Sequence, residues 1–307
     1  MIFGILAEQT KALEQPTQIS ASAQTQDQIS ASYGDFAVTG DASTVSFADS
    51  VLTISGGEHS VSMGEGKSST NQAIKIVGAT TLTLAGINIE STNGAAIEIA
   101  PNASFDVSIL LADGSENELV GQSEAGDGWN GSAAIQKNGA DSTGTLVIGV
   151  PNNSLGTGSL VATGGKGAAG IGGGYEAGTR NITFTGGSVK AYAGRYGAAI
   201  GGGSSGTGIG IKLLGGIITA ESLFDDYPNM YQNTIGSGNQ ESFNAADNML
   251  DGDVVLIASG PSAVLGGFSL NRGIYFEFNY GMNPFVPFTY SYVFENVTIS
   301  ENVELPL

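Results

Sequence analysis

The stretch GAAGIGGGYEAGTRNITFTGGSVKAYAG at positions 167–194 is followed by GAAIGGGSSGTGIGIKLLGGIITAES at positions 197–222. Each copy has a Gly-Ala-Ala segment, an isoleucine, a glycine run, and two alternating apolar segments that meet at a Gly-Gly pair. Short strands and corners that recur at a fixed period are typical of a solenoid, in which each repeat stacks on its neighbours. The two copies therefore predict a stacked β architecture.

Weaker copies of the same unit extend in both directions along the chain. An isoleucine recurs at one point of each copy, at Ile74, Ile97, Ile135, Ile171, Ile200 and Ile235. These positions set a repeat of roughly 30–35 residues. Each repeat has room for three short strands. We therefore predict an all-β chain that forms a right-handed parallel β-helix with three strands in each coil.

Three segments are predicted from the change in pattern along the chain. Residues 1–33 are rich in Gln, Ser, Thr and Ala and are expected to form a helix, a linker or a cap. Residues 34–267 carry the repeats and are expected to form the β-helix. Residues 268–307 are dense in Phe and Tyr, as expected for a β cap or for the start of further coils.

The composition excludes several classes of function. Ten basic and 29 acidic residues give a net charge of −19, so nucleic acid is not expected as a partner. No apolar run is long enough to predict a membrane span. The absence of cysteine excludes disulfides and thiolate sites. His59 is the only histidine, which excludes a histidine-built metal site, and we expect it to be a solvated strand residue.

Two groups of side chains are candidates for ligand binding. Exposed aromatic rings can bind the flat faces of sugars. The aromatic candidates are Trp129, Tyr175, Tyr192, Tyr196, Tyr227 and Tyr231, and Arg195 beside Tyr196 is a basic candidate. Carboxylates can bind Ca²⁺, and the candidates are Asp225, Asp226, Asp251 and Asp253, in or beside an insertion after residue 222. Solvated loop residues are the open alternative for both groups.

One segment resembles a known family. NGAAIEIAPNASFDVSILLADGSENELVG at positions 93–121 is similar to secreted carbohydrate-binding β-helix proteins of clostridial and related gut bacteria. The similarity lies in the GAAI strand and in the run from Leu111 to Leu119, and repeats like those at 167–222 are common in large Gram-positive surface proteins. The resemblance spans roughly residues 35–265. It implies non-catalytic binding of polysaccharides, acidic polymers among them, with calcium at acidic positions.

The sequence therefore predicts a secreted or cell-surface protein that binds polysaccharide, as a monomer or as part of a larger surface protein. The apolar start MIFGILA is too short for a complete signal sequence and lacks a basic segment, so a truncated signal sequence and one turn of helix are equal alternatives for it. A polysaccharide lyase or glycoside hydrolase on the same scaffold is the first alternative. A trimeric β-helix associated with a phage tail is the second.

Overall fold

The computed structural model describes residues 29–123, 128, 130–151, 156–222, 233–239, 248–260, 264–265, 268–270 and 288–293. These residues form β-strands and connecting turns, with a 3-10 turn at Ala42–Thr44. Within the same ranges there is no helix long and apolar enough to cross a membrane.

The strands are numbered in chain order. The first eight are β1 (Ile29–Tyr33), β2 (Phe36–Gly40), β3 (Val45–Ala48), β4 (Val51–Ile54), β5 (Gly57–Met63), β6 (Ala73–Ile76), β7 (Thr80–Leu84) and β8 (Asn88–Glu90). The next eight are β9 (Ile97–Ile99), β10 (Val107–Leu111), β11 (Glu116–Val120), β12 (Ile135–Lys137), β13 (Leu146–Gly149), β14 (Ser159–Thr163), β15 (Ile171–Gly172) and β16 (Thr179–Tyr192). The last are β17 (Ile200–Gly201), β18 (Gly208–Glu221), β19 (Asn233–Gly236), β20 (Asn248–Gly260), β21 (Val264–Leu265), β22 (Phe268–Leu270) and β23 (Phe288–Val293).

Successive repeats contribute parallel strands to three stacks. Stack 1 contains β4, β6, β9, β12, β15, β17, β19 and β21. Stack 2 contains β5, β7, β10, β13 and the first parts of β16, β18 and β20. Stack 3 contains β8, β11, β14 and the last parts of the same three long strands. The described chain is thus all-β with parallel stacked strands, an architecture compatible with a β-helix.

The six predicted isoleucines confirm the repeat. They occupy one register position in stack 1, so that each is paired with the next one along the chain, in the order Ile74, Ile97, Ile135, Ile171, Ile200 and Ile235. All six side chains are buried. Stack 2 carries a matching inward row, made of Leu82, Ile109, Ile148, Phe184, Leu213 and Leu250. The core is therefore a set of apolar rows that run perpendicular to the strands.

Glycine is required at one register position in the later strands of stack 1. Gly172, Gly201 and Gly236 share one register position and have φ values of 137°, 138° and 128°. A Cβ on Gly172 or Gly201 would overlap the carbonyl oxygen of the glycine in the next repeat. A larger residue here would therefore push neighbouring repeats apart.

Antiparallel pairing occurs at the beginning of the described chain. β1 pairs with β2, β2 pairs with β5, and β3 pairs with β4, all antiparallel. Regular strand pairing therefore begins at Ile29, inside the segment for which a helix, linker or cap was predicted. At the other end, β22 is parallel and β23 is antiparallel to β20. The predicted domain limits at 34 and 268 remain predictions, since residues 1–28 and most of 268–307 lie outside the described ranges.

Candidate functional site

Tyr192 is the predicted aromatic residue that the structure brings to an open strand surface. It ends the stack 3 part of β16, in which Val189 and Ala191 point inward and are buried, as the alternation predicts. Tyr192 is partly exposed and pairs in register with Thr163 on one side and Glu221 on the other. Adjacent strands lie about 4.8 Å apart, so the ring has a hydroxyl and a carboxylate as immediate neighbours.

The outward residues of stack 3 form three rows across the repeats. The row of Tyr192 contains Glu90, Val120, Thr163, Tyr192 and Glu221. The second row contains Asn88, Glu118, Val161, Lys190 and Thr219. The third contains Glu116, Ser159, Ser188 and Ile217. Ile217 is 48% exposed, one of two large apolar side chains in the described ranges that are exposed in this way. We call these three rows the stack 3 surface.

Tyr196, which was predicted to bind ligand, is buried. Tyr196 is only 8% exposed and has a left-handed backbone with φ of 70°. The corresponding position one repeat earlier is Gly167, which also has a positive φ and donates its N–H to the carbonyl of Arg195. The Arg195 guanidinium carbon lies 5.2 Å from the centroid of the Tyr196 ring. Because this turn directs the ring into the protein, its contact with Arg195 is a packing interaction within the corner.

The acidic candidates do not form a metal site in the described ranges. Asp251 is exposed, and both Asp251 and Asp253 lie within strand β20, where Asp253 pairs in register with Gly215. No group of three or more Asp, Glu or His side chains suited to a metal ion occurs among the described residues. Trp129, Asp225, Asp226, Tyr227 and Tyr231 lie outside the described ranges, so their predicted roles stay predictions.

The expectation of a solvated His59 is wrong. His59 lies in β5, is 4% exposed and has its Nε2 atom 2.9 Å from both Thr44 Oγ1 and the Gly56 carbonyl oxygen. Its partner across the antiparallel pair is Gly40, where a Cβ would overlap the imidazole Nδ1 atom. The missing side chain at Gly40 therefore makes room for the ring.

The Asp113–Asn117 part of the family-like run has a structural role at a corner. The buried Asn117 side chain accepts hydrogen bonds from the N–H groups of Gly86 and Ile87 and donates to Ser115 Oγ and the Ser159 carbonyl. Asp113 accepts hydrogen bonds from the backbone and side chain of Thr157, which lower its pKa. These side chains bind neighbouring repeats to each other, so this part of the run stabilises the stacking of the repeats.

Sequence reasoning missed a lysine inside the protein. Lys137 ends β12 in register with Ile99, is 1% exposed, and donates hydrogen bonds from Nζ to Ser142 Oγ (2.9 Å) and to the Arg180 carbonyl. Burial, and secondarily the charge of Arg180, lower its pKa to about 8. The strand alternation Ile135–Gln136–Lys137 carries the signal, because a buried Ile135 places Lys137 on the same side.

Stack 2 has a shallow groove of about 280 Å³, lined by residues that include Glu58, Thr81, Asp106 and Ser108. The Asp106 carboxylate accepts a hydrogen bond from the Thr145 N–H. This groove has no aromatic lining. A comparison of the chain with protein-family models, curated proteins and solved structures found no match.

Proposed function

We propose that this chain is a right-handed parallel β-helix, secreted or held at a cell surface, that binds polysaccharide without cleaving it. The single observation that carries this proposal is the position of Tyr192, partly exposed in a row between Thr163 and Glu221. The resemblance of residues 93–121 to carbohydrate-binding β-helix proteins supports the same function.

The chemistry of this row suits a sugar. A tyrosine ring packs against the C–H face of a pyranose, and its own hydroxyl can hydrogen bond. The carboxylate of Glu221 accepts hydrogen bonds from sugar hydroxyls, and the Thr163 hydroxyl can donate or accept. An acceptor on one side of the ring and a hydroxyl that can donate or accept on the other thus lie beside the platform.

The backbone holds these groups in place before a ligand arrives. Thr163, Tyr192 and Glu221 lie on adjacent parallel strands, and the inward neighbours of Tyr192 and Glu221, Ala191 and Ala220, are fully buried. A site on packed strands loses less conformational entropy on binding than a site on loops. The rows also continue across several repeats, which suits an extended polymer.

The test is a glycan array followed by calorimetric titration of the polymers that bind, using the whole chain. Tyr192→Ala should weaken binding by about tenfold or more, as truncation of an aromatic anchor does. Tyr192→Phe should retain most of the affinity because the ring remains. Tyr175→Ala, a change of another partly exposed tyrosine at a turn after stack 1, is the matched control and should leave binding unchanged.

Two results would contradict the proposal. Equal affinity of wild type and Tyr192→Ala for every bound polymer would show that stack 3 is not the binding surface. Release of reducing ends from a bound polysaccharide would show that the protein is an enzyme. A crystal structure that traces the direction of winding tests the right-handed assignment.

A further inference from the structure

We infer that the stack 3 surface takes a polysaccharide whose sugars carry free, protonated amino groups, and that it disfavours uronate polymers. This inference rests on the proposed function, because Tyr192 defines the site and the charges around it define the ligand. It differs from the acidic polymers that the family resemblance implies.

The charges on the stack 3 surface are predominantly negative. Its outward positions include four exposed carboxylates, Glu90, Glu116, Glu118 and Glu221, and a single basic side chain, Lys190. The carboxylates occur in all three rows, and the one nearest to the ring, Glu221, is the register partner of Tyr192. A polymer that lies on Tyr192 along the row therefore meets a carboxylate in the next repeat.

The four carboxylates of the stack 3 surface are not engaged by other side chains in the described part of the chain. None of them forms a side-chain hydrogen bond or an ion pair with another described residue. Four acids in other places are engaged in this way: Asp35 with Lys67, Glu98 with Lys75, Asp41 with Ser43, and Asp113 with Thr157. The stack 3 carboxylates are therefore available to a ligand, while those acids are occupied in holding the fold.

The net charge of the whole chain is negative, like that of the stack 3 surface. At −19 the protein as a whole repels polyanions, and local repulsion is strong within the Debye length of about 8 Å at physiological ionic strength. A uronate polymer on Tyr192 would place carboxylates beside Glu221. A polymer of glucosamine type would instead place ammonium groups there, each able to donate three hydrogen bonds like a lysine.

Lys190 allows the inference to be tested by the direction in which its replacement changes the affinity. It lies two residues before Tyr192 on β16, on the same outward side, and is exposed. For a cationic ligand Lys190 is unfavourable and Glu221 is favourable. For a uronate ligand the two roles are exchanged, so the two possibilities predict opposite effects of the same pair of substitutions.

The experiment titrates the whole chain with three oligosaccharides of equal length: fully de-N-acetylated chitin, fully N-acetylated chitin, and oligogalacturonate. The buffer is mildly acidic, so that the free sugar amine is protonated. We expect the de-N-acetylated oligomer to bind most tightly. Glu221→Gln should weaken its binding by about two- to fivefold and Lys190→Gln should strengthen it by a similar factor, since exposed charge pairs have effects of this size. Both effects should decrease as salt is added.

Matched controls distinguish the effect on affinity of charges beside the ligand from the effect of the overall charge of the protein. Glu58→Gln and Lys212→Gln make the same charge changes at exposed positions of stack 2 and should have no effect beyond a small salt-sensitive one. Circular dichroism and thermal unfolding of each variant check that the fold is retained.

The outcomes discriminate between the inference and the proposed function. Tighter binding of oligogalacturonate, or equal binding of the two chitin oligomers, overturns the inference, and the proposed function survives if that binding still depends on Tyr192. Binding of the cationic oligomer that Tyr192→Ala leaves unchanged also overturns the inference, because attraction would then be general. If no oligosaccharide in this test or on the glycan array binds, both fail.

Discussion

Replacement of Lys137 should change the pH dependence of folding in a defined window. The ammonium group is inside the protein, where burial and the charge of Arg180 lower its pKa from 10.5 to about 8. At about 1.4 kcal/mol for each pKa unit, the folded state bears a cost of roughly 3 kcal/mol for holding this charge. Below pH 8 both the folded and the unfolded chain are protonated at Lys137, so the cost is fully present and constant.

Between about pH 8 and 10.5 the folded chain has released a proton that the unfolded chain still binds. The free energy of unfolding must therefore rise with pH across this window, by up to roughly 3 kcal/mol from this group. Lys137→Met removes the charge and keeps an unbranched apolar side chain of similar length. It also leaves the Arg180 carbonyl without the Nζ donor, a loss of about 1–2 kcal/mol. We expect a net gain near pH 7 of roughly 1–2 kcal/mol and no gain at pH 10.5.

Denaturant unfolding followed by circular dichroism, at pH values from 7 to 10.5, measures this effect. The informative quantity is the difference between wild type and Lys137→Met, because the titration of tyrosines and exposed lysines cancels in it. Lys190→Met is the control, since it makes the same substitution at an exposed position. A wild-type minus Lys137→Met difference that stays constant over the window would refute the reasoning.

Three further predictions concern stability and pH. Gly201→Ala should lower the free energy of unfolding by more than about 4 kcal/mol, because the added Cβ would overlap the carbonyl oxygen of Gly236. Gly66→Ala should lower it by about 1–2 kcal/mol, because Gly66 has a positive φ but open space around the added Cβ. Chemical denaturation compares the two variants. Asn117→Ala should cost roughly 2–4 kcal/mol and lower the melting temperature, since it leaves two backbone N–H groups without an acceptor. The carboxyl group of Asp113 should titrate below its ordinary pKa of 3.8 in NMR spectra, so its stabilisation is lost only as the pH falls below that value; titration at or above 3.8 would contradict the Thr157 contacts.

The stacking of the repeats was predictable because its signal is local and recurs. Each strand alternates, so a single buried isoleucine in a repeat fixes the side to which its neighbours point. The fixed recurrence of Ile171 and Ile200 then predicts their pairing, and the structure has them in register. The inward positions of Val189 and Ala191, and hence the outward position of Tyr192, follow from the same alternation.

The errors concern residues whose environment is set by distant pairing or by a turn conformation. His59 is buried because the antiparallel strand β2 places Gly40 opposite it, and a parallel repeat pattern gives no sign of that strand. Tyr196 is buried because its backbone is left-handed, which the pattern of apolar residues does not reveal. Both cases lie at points where the regular repeat ends or turns.

In the glycine-rich repeats, the outward side chains available for recognition lie on stack 3 and not on the glycine row of stack 1. In stack 1 the outward row passes from Thr53, Lys75, Glu98 and Gln136 to Gly172, Gly201 and Gly236, so the later repeats present no side chains there. In stack 3 the same later repeats do present large outward side chains, those of Lys190, Tyr192, Ile217 and Glu221. Because the glycines allow close packing of repeats on one side, side-chain chemistry in this part of the chain has to come from the others. The sequence feature that makes the fold recognisable thus also restricts where a ligand can be bound.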